Sequence, residues 1–370
     1  MDRTQAIEQA KILQTLIELA DVSIILSTFI SAFVNKTVQK ADGMWYLFGH
    51  FNIGGTKSGR LSSSDINLQN LPSTGSKYAK AVKLCFKGPT GFVIAGADFN
   101  SLEDMISALT TKDPNKLKVY TDGYDGHCLR TYSYFPAELP DIVNTVASIN
   151  SIEKKYPKLR QKSKGPTFAL TYQGTWYTLV NSQGFEEAEA KQIEENYHTL
   201  YKVSDDWIQD KINQATLTGY TTVAFGLRLR TPILKQTVLG SRYTPYEAKA
   251  EGRTMGNAHG QSYGMLNNRA AIEFQNRLLA SDYLYDILPI AHIHDAMYFL
   301  AKDDIEVIKW LNDNLIACMQ WQELPEIKHP TVKLGGELSL FYPSWACEIK
   351  IPNYASEDVL RTTVEQSECI

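Results

Sequence analysis

GFVIAGAD, residues 91–98, and LPIAHIHDAMYFLA, residues 288–301, are the two stretches on which the fold turns. The first is an apolar, β-branched run bounded by Gly91 and closed by an acid, the pattern of a buried strand. The second holds two short apolar segments about a polar centre and reads as a hairpin. Long helical text separates them, so a sheet uniting them collects strands from distant parts of the chain, an α+β arrangement. Each stretch also carries an aspartate beside its apolar segment, Asp98 and Asp295. A carboxylate there is costly to desolvate unless it meets a cation. Two brought together repel unless a divalent ion lies between them, and hard carboxylate oxygens with substrate phosphates suit Mg²⁺. Taken singly, either aspartate is more simply a turn or cap residue.

Around these strands, residues 1–40, 151–200, 246–282 and 302–322 read as helical, and residues 99–130 begin with a helix before the turn-rich TDGYDGH. Residues 45–75 have a Gly-, Ser- and Asn-rich loop composition, and residues 215–245 read as a β-hairpin or two. The chain has 370 residues, 44% hydrophobic and 21% charged, which excludes disorder and a coiled coil and leaves room for two or three lobes. Its 37 basic and 41 acidic residues give a net charge of −4, which excludes coating nucleic acid by bulk charge but leaves a focused basic cleft open. The five cysteines are scattered without CxxC pairing, against a disulfide framework or structural zinc and in favour of a reducing, cytoplasmic location.

The uncharged run Val22–Val34 has 13 residues, short of the roughly 20 that span a bilayer. Asp2, Glu8, Glu18 and Asp21 precede it instead of a basic leader. With Ile12, Leu13, Leu16, Ile17 and Leu19 at helical spacing, the segment is expected to be an amphipathic helix or two packed on the rest of the protein, with no membrane involved.

Two polar stripes stand out. Arg160, Lys164, Phe168 and Tyr172 in RQKSKGPTFALTY recur every four residues and so share one helix face, cationic at one end and aromatic at the other. That polarity matches a nucleotide, phosphates first and base second, although an ordinary amphipathic helix has the same spacing. Pro166 is tolerated only in a first turn, so the helix is expected to start after Arg160 or to kink. Arg253, Asn257 and Gln261 recur likewise on EGRTMGNAHGQSYG, whose glycines allow close approach of a nucleic-acid strand or of another helix. In SGRLSSSDINLQNLP, Arg60, Asn67, Gln69 and Asn70 put a cation and three amides in a loop.

In this order the segments resemble the A-family (Pol I-like) DNA polymerases, most like divergent phage members. GRLSSSDINLQNLP is similar to that family's GRLSS…NLQNIP, ADFNSLE (97–103) to its DYSQIE, and the 160–172 stripe to its RxxxKxxx(F/Y)xxxY fingers pattern. Asp125-Gly126-His127, the Arg253–Gln261 helix and His294-Asp295 resemble three further segments, and the likeness covers roughly residues 45–345. The resemblance implies a right-hand architecture: a helical thumb remnant (1–45), a palm with an antiparallel sheet (46–127 and 246–370) and helical fingers (128–245). It implies template-directed DNA synthesis, with two Mg²⁺, for which Mn²⁺ can substitute, held by Asp98, the Phe99 carbonyl and Asp295, and with Lys164 assisting catalysis. Glu103, His127, Arg160, Lys164, Phe168 and Tyr172 would bind the deoxynucleoside triphosphate. Arg60, Asn67, Gln69, Asn70, Arg253, Asn257, Gln261 and His294 would bind primer–template DNA. The resemblance implies a polymerase core either cut from a longer protein or encoded as one part of a split enzyme, the latter partnered by a separate N-terminal polypeptide supplying thumb or exonuclease, and the location is the host cytoplasm if the chain is phage-encoded.

The chain departs from the family pattern at Ala296, where the last motif usually has Glu, and at Gln173, where Gly usually follows the fingers tyrosine. With 97 residues before Asp98, a 3′–5′ exonuclease domain is expected to be absent and the thumb reduced. Two other classes compete. A metal-dependent nuclease or phosphohydrolase could use Asp98, His292, His294 and Asp295, but it leaves both stripes and NLQN unexplained. A non-catalytic, polymerase-like DNA-binding subunit would account for Ala296, but not for the retained aspartates, Lys164 and Arg160. A related RNA polymerase would lack the reason for Glu103 and NLQN.

Overall fold

The computed structural model describes residues 3–72, 75–237 and 245–367. The apolar run at 92–99 forms β1 (Phe92–Phe99), buried along nearly its whole length as its unbroken hydrophobicity requires. β2 (Ile287–Ile293), β3 (Ala296–Lys302), β4 (Gly336–Phe341) and β5 (Glu348–Ile351) complete one antiparallel sheet in the order β5-β4-β1-β3-β2. β1 is therefore central, and its neighbours come from the far end of the chain. The register pairs Asp98 with Ala296 on β3 and with Glu337 on β4.

An N-terminal helix, α1 (Arg3–Ile24), runs through a π-helical turn at Ile25–Ile30 into α2 (Ser31–Lys36). The helices that position the site are α3 (Leu102–Thr111), α4 (Gly126–Tyr134), α5 (Pro157–Thr171), α6 (Tyr246–Gln261), α7 (Met265–Leu279) and α8 (Ile305–Met319). α3, α7 and α8 cover one face of the sheet: Ile106, Leu109, Leu278, Leu311 and Leu315 are fully buried against Ala95, Ala97 and Phe299. Such side chains are each worth about 1.5–3 kcal/mol when removed from water, so this layer anchors β1. α4 and α5 belong to a separate helical lobe with its own core of Tyr134, Leu170, Leu179, Ile193 and Tyr197. A 2.6 Å pair between buried Arg130 and half-buried Asp104, with the Tyr201 hydroxyl accepting from Arg130 Nε, joins this lobe to α3.

Several expectations need correction. α5 starts at Pro157, ahead of Arg160, and continues through Pro166, which is buried; Pro157 suits the first helical position, where its missing N–H would have no partner in any case. The loop-like 45–75 region contributes strands to two small ribbons, Thr37–Gln39 with Trp45–Leu47 and His50–Asn52 with Ser62–Ser64. Residues 215–245 give one hairpin, Tyr220–Thr222 with Arg228–Arg230, and part of the stretch lies outside the described residues. Cys85, Cys128 and Cys318 are free, while Cys347 is disulfide-bonded.

The largest correction concerns α1, which does not pack on the body. Ile12, Leu13, Leu16, Ile17, Leu19 and Ile24 are each more than half exposed, and Phe29 and Ala32 near its far end are buried. The uncharged run understated the helix as well, since Gln5–Lys36 is long and apolar enough to cross a membrane by length and composition.

Candidate active site

Asp98 ends the apolar part of β1 because the chain must turn there. Ser101 takes the left-handed conformation (φ 48°), and α3 begins at Leu102 with Glu103 and Asp104 in its first turn. The hairpin between β2 and β3 closes through two residues, His294 and Asp295, with His294 also left-handed at φ 53°. Since Asp98 pairs with Ala296, the two aspartates stand at neighbouring strand ends, and the Phe99 N–H donates to the Asp295 carbonyl at 3.4 Å. Asp98 opens into a cleft of about 820 Å³ that Lys80, Lys83, Glu337 and Lys350 also line. Although its side chain reaches solvent there, surrounding protein and then Asp295 push its carboxyl up to about 6. Burial, then Glu103, raises the Asp295 carboxyl too, while Arg60 opposes the shift.

Arg60 bridges two acids: its Nη2 donates to Glu103 Oε1 at 2.6 Å and to Asp295 Oδ1 at 3.2 Å. The Tyr172 hydroxyl donates to the other Glu103 oxygen. Tyr172 caps α5, and Phe168 one turn earlier is 66% exposed with its ring 5.0 Å from that of Tyr172. At the opposite end of α5, Arg160 donates to Asp125 at 2.7 Å. Burial alone would raise the Asp125 carboxyl, but Arg160 and the Cys128 N–H bring it down to about 2. His127 sits among these cations: burial and then Arg130, Arg160 and Lys164 lower its pKa, and its Nδ1 is buried without a partner. The structure thus brings Arg160, Lys164 and His127 together beside the Asp125 carboxylate, with two aromatic rings at the other end of the helix.

On α6, Asn257 and Gln261 line a second cleft of about 280 Å³ together with Glu103, Tyr172 and Gln173. Asn257 donates to the Tyr172 carbonyl at 3.5 Å and keeps its own Oδ1 buried and unpartnered. Arg253 turns away and lies 5.5 Å over the Tyr246 ring. In the 58–72 segment, Gln69 donates to the His292 carbonyl at 3.3 Å, Asn67 keeps a buried unpartnered Oδ1, and Asn70 is exposed. His292 Nε2 accepts from Asn267 at 2.6 Å, and burial holds its pKa at about 4. His294 is exposed, and among the described residues no group of three or more His, Cys, Asp or Glu could hold a metal ion. Of the four residues of the competing nuclease reading, His292 has its Nε2 engaged by Asn267.

Sequence reading missed three relationships. Asp125 is the ion-pair partner of Arg160 as well as the N-cap of α4; the helix-start signal was legible, the pairing was not. Gln173 adopts φ 60°, a conformation that glycine takes without strain, and its amide packs where a Cβ on Gly256 would come within 1.9 Å. Glu337 faces Asp98 from β4 and pairs with Lys350 at 3.3 Å, which only the sheet register reveals.

A sequence profile of DNA polymerase family A matches residues 2–335. The thermostable DNA polymerase I of Thermus filiformis is 26% identical over 231 residues, covering 62% of this chain and 26% of that protein. DNA polymerase I of Bacillus subtilis is 23% identical over 299 residues, covering 80% of this chain and 30% of that protein. The chain thus spans about a quarter to a third of the length of these relatives. The POL domain of Pol1 from M. smegmatis, solved in complex with DNA primer-template and dNTP, superposes with a TM-score of 0.71 at 22% identity. That likeness covers 90% of this chain and 53% of that one, and it shows the shared fold.

Proposed function

The chain belongs to DNA polymerase family A, and from that premise we propose that it carries out template-directed DNA synthesis, joining a deoxynucleotide to a primer 3′-hydroxyl with release of pyrophosphate. The observation that carries this reading is the adjacency of Asp98 and Asp295 at neighbouring strand ends. In this reading the sheet and its covering helices are the palm, the lobe containing α4 and α5 is the fingers, and α1 and α2 belong to the thumb.

The donor set fits Mg²⁺, with Mn²⁺ as a substitute. Two carboxylates, with no group of three or more His, Cys, Asp or Glu side chains among the described residues, suit a hard cation that completes its shell with backbone and substrate phosphate oxygens. Asp98, Asp295 and the Phe99 carbonyl would hold two such ions, which when bound supply charge neutralisation at the triphosphate and activation of the primer hydroxyl. The rest falls to this chain's own side chains. Arg160, Lys164 and His127 bind the phosphates, and a lowered His127 pKa leaves its ring free to gain a proton as the anion arrives. Lys164 assists the leaving pyrophosphate. Phe168 and Tyr172 offer rings to the base and sugar, and Glu103, fixed by Arg60 and Tyr172, excludes a 2′-hydroxyl. Arg60, Asn67, Gln69, Asn70, Arg253, Asn257, Gln261 and His294 contact primer–template DNA.

The exposed face of α1 supports a further element of the reading, additional polypeptide, on a separate or the same chain, that completes the thumb around it. A bilayer is the poorer cover, because Asp21 near the middle of Gln5–Lys36 costs about 2.5–3.5 kcal/mol there and Glu18 adds to that.

Primer extension on a primed DNA template in Mg²⁺ is the test. Asp98→Asn and Asp295→Asn are each expected to reduce extension on the order of 10²–10³-fold, as removal of a principal electrostatic group does. Near-normal extension by either folded variant defeats the reading, and phosphate release without deoxynucleotides would favour a phosphohydrolase instead.

A further inference from the structure

Four residues from four elements form one polar chain: Tyr172 at the end of α5, Glu103 in the first turn of α3, Arg60 beyond Gly59, and Asp295 in the β2–β3 turn. Arg60 is its centre and it is held firmly. Its stem lies over Gly264, where a Cβ would come within 2.8 Å of Nε. The side chains of Arg60 and Asp295 are 22% and 19% exposed, so water screens the pair little. Yet the pairing is not the two-pronged fork that an arginine makes when binding a carboxylate is its whole purpose. One nitrogen, Nη2, serves both Glu103 and Asp295, and the buried Nε has no acceptor. A contact shared in this way can be surrendered on one side while the arginine stays anchored on the other.

We propose that Arg60 is a positioning residue, the exchangeable counter-cation of Asp295. A divalent cation at Asp98 and Asp295 and the Arg60 guanidinium compete for the same carboxylate oxygens. Because Glu103 shares Nη2 with Asp295, cation binding at the aspartates is linked to the Glu103–Tyr172 contact, and hence to the end of α5. Linkage is reciprocal, so whatever tightens Arg60 on Asp295 weakens the cation, and cation binding pushes Arg60 toward Glu103. This inference rests on the reading of Asp98 and Asp295 as divalent-cation ligands.

The test is Mn²⁺ binding to the full DNA-free chain, followed by the electron paramagnetic resonance signal of free Mn²⁺. Arg60→Ala, and Arg60→Met, which keeps the stem over Gly264, are expected to bind Mn²⁺ roughly tenfold tighter than wild type. Glu103→Gln leaves Arg60 with Asp295 alone and is expected to bind several-fold more weakly, an effect that disappears when Arg60 is also Met. Unchanged or weaker binding by a folded Arg60→Met chain overturns the proposal, as does a Glu103→Gln effect that persists without Arg60. Asp98→Asn separates the two levels. If it leaves Mn²⁺ binding intact, the assignment of the aspartates fails; if it weakens binding while Arg60→Met changes nothing, only the exchange fails.

Discussion

Ala296 is the Cα partner of Asp98 across β1 and β3, and it is 7% exposed. A methyl group therefore lies on the same face of the sheet as the Asp98 carboxylate, beside an acid whose charged form is already disfavoured by its surroundings and by Asp295. Ala296→Glu is expected to add a third carboxylate to that crowd. Without divalent cations, the variant should lose about 1–2 kcal/mol of stability through like-charge repulsion and burial. Millimolar Mg²⁺ should restore most of it. Thermal unfolding with and without EDTA checks this, and an equal loss under both conditions would show that the new side chain is not near the cation site.

Glu103 is tied to Arg60 on one side and to Tyr172 on the other, so its carboxylate is held in place, and the proposed function puts it against the sugar of the incoming nucleotide. Glu103→Ala is expected to raise the ratio of ribonucleotide to deoxynucleotide incorporation by about tenfold or more, because a small side chain no longer meets the 2′-hydroxyl. Single-nucleotide primer extension with each substrate measures the ratio. An unchanged preference removes Glu103 from the sugar-selecting role.

Much of this site was legible because its parts are short and locally patterned. Asp98 follows an apolar run that could only be a buried strand, and the spacing of Arg160, Lys164, Phe168 and Tyr172 fixes a helix face whatever packs behind it. Relationships set by register or by distant pairing were not legible. Nothing in the sequence near Asp98 indicates that Glu337, on β4, would face it, or that Arg60 would reach Asp295. The expected helix start after Arg160 failed for a different reason: Pro157 offers an earlier start, because a proline at the first helical position loses no hydrogen bond. The packing of α1 was misjudged because helical periodicity shows that a face is apolar and not that anything covers it.

That uncovered face gives a direct prediction. Leu13 and Ile17 are 61% and 58% exposed, so replacing both with Glu removes little burial from the folded chain. Leu13→Glu/Ile17→Glu is expected to leave the unfolding free energy of the isolated chain within about 0.5 kcal/mol of wild type, as surface substitutions do. Urea denaturation followed by far-ultraviolet circular dichroism measures it. A loss of several kcal/mol would mean that α1 packs on the body in solution.

His259 supplies the prediction for pH. It lies on α6, 6% exposed, hydrogen-bonded through Nε2 to Thr221 at 2.9 Å, and burial, with Lys211 adding to it, lowers its pKa to about 4. In the unfolded chain the imidazole titrates near its ordinary value, so between roughly pH 6.5 and pH 4 the unfolded state binds the extra proton and the folded state does not. Stability from this residue is therefore complete above that window and declines as the pH falls through it, by at most about 3 kcal/mol at the lower end. His259→Gln keeps a hydrogen-bonding partner for Thr221 but cannot take up a proton. Its unfolding free energy is expected to fall less steeply than wild type between pH 6.5 and pH 4, the two curves differing by up to one bound proton in slope. Parallel curves would mean that His259 is protonated in the folded protein, with its ring open to water and its contact with Thr221 broken.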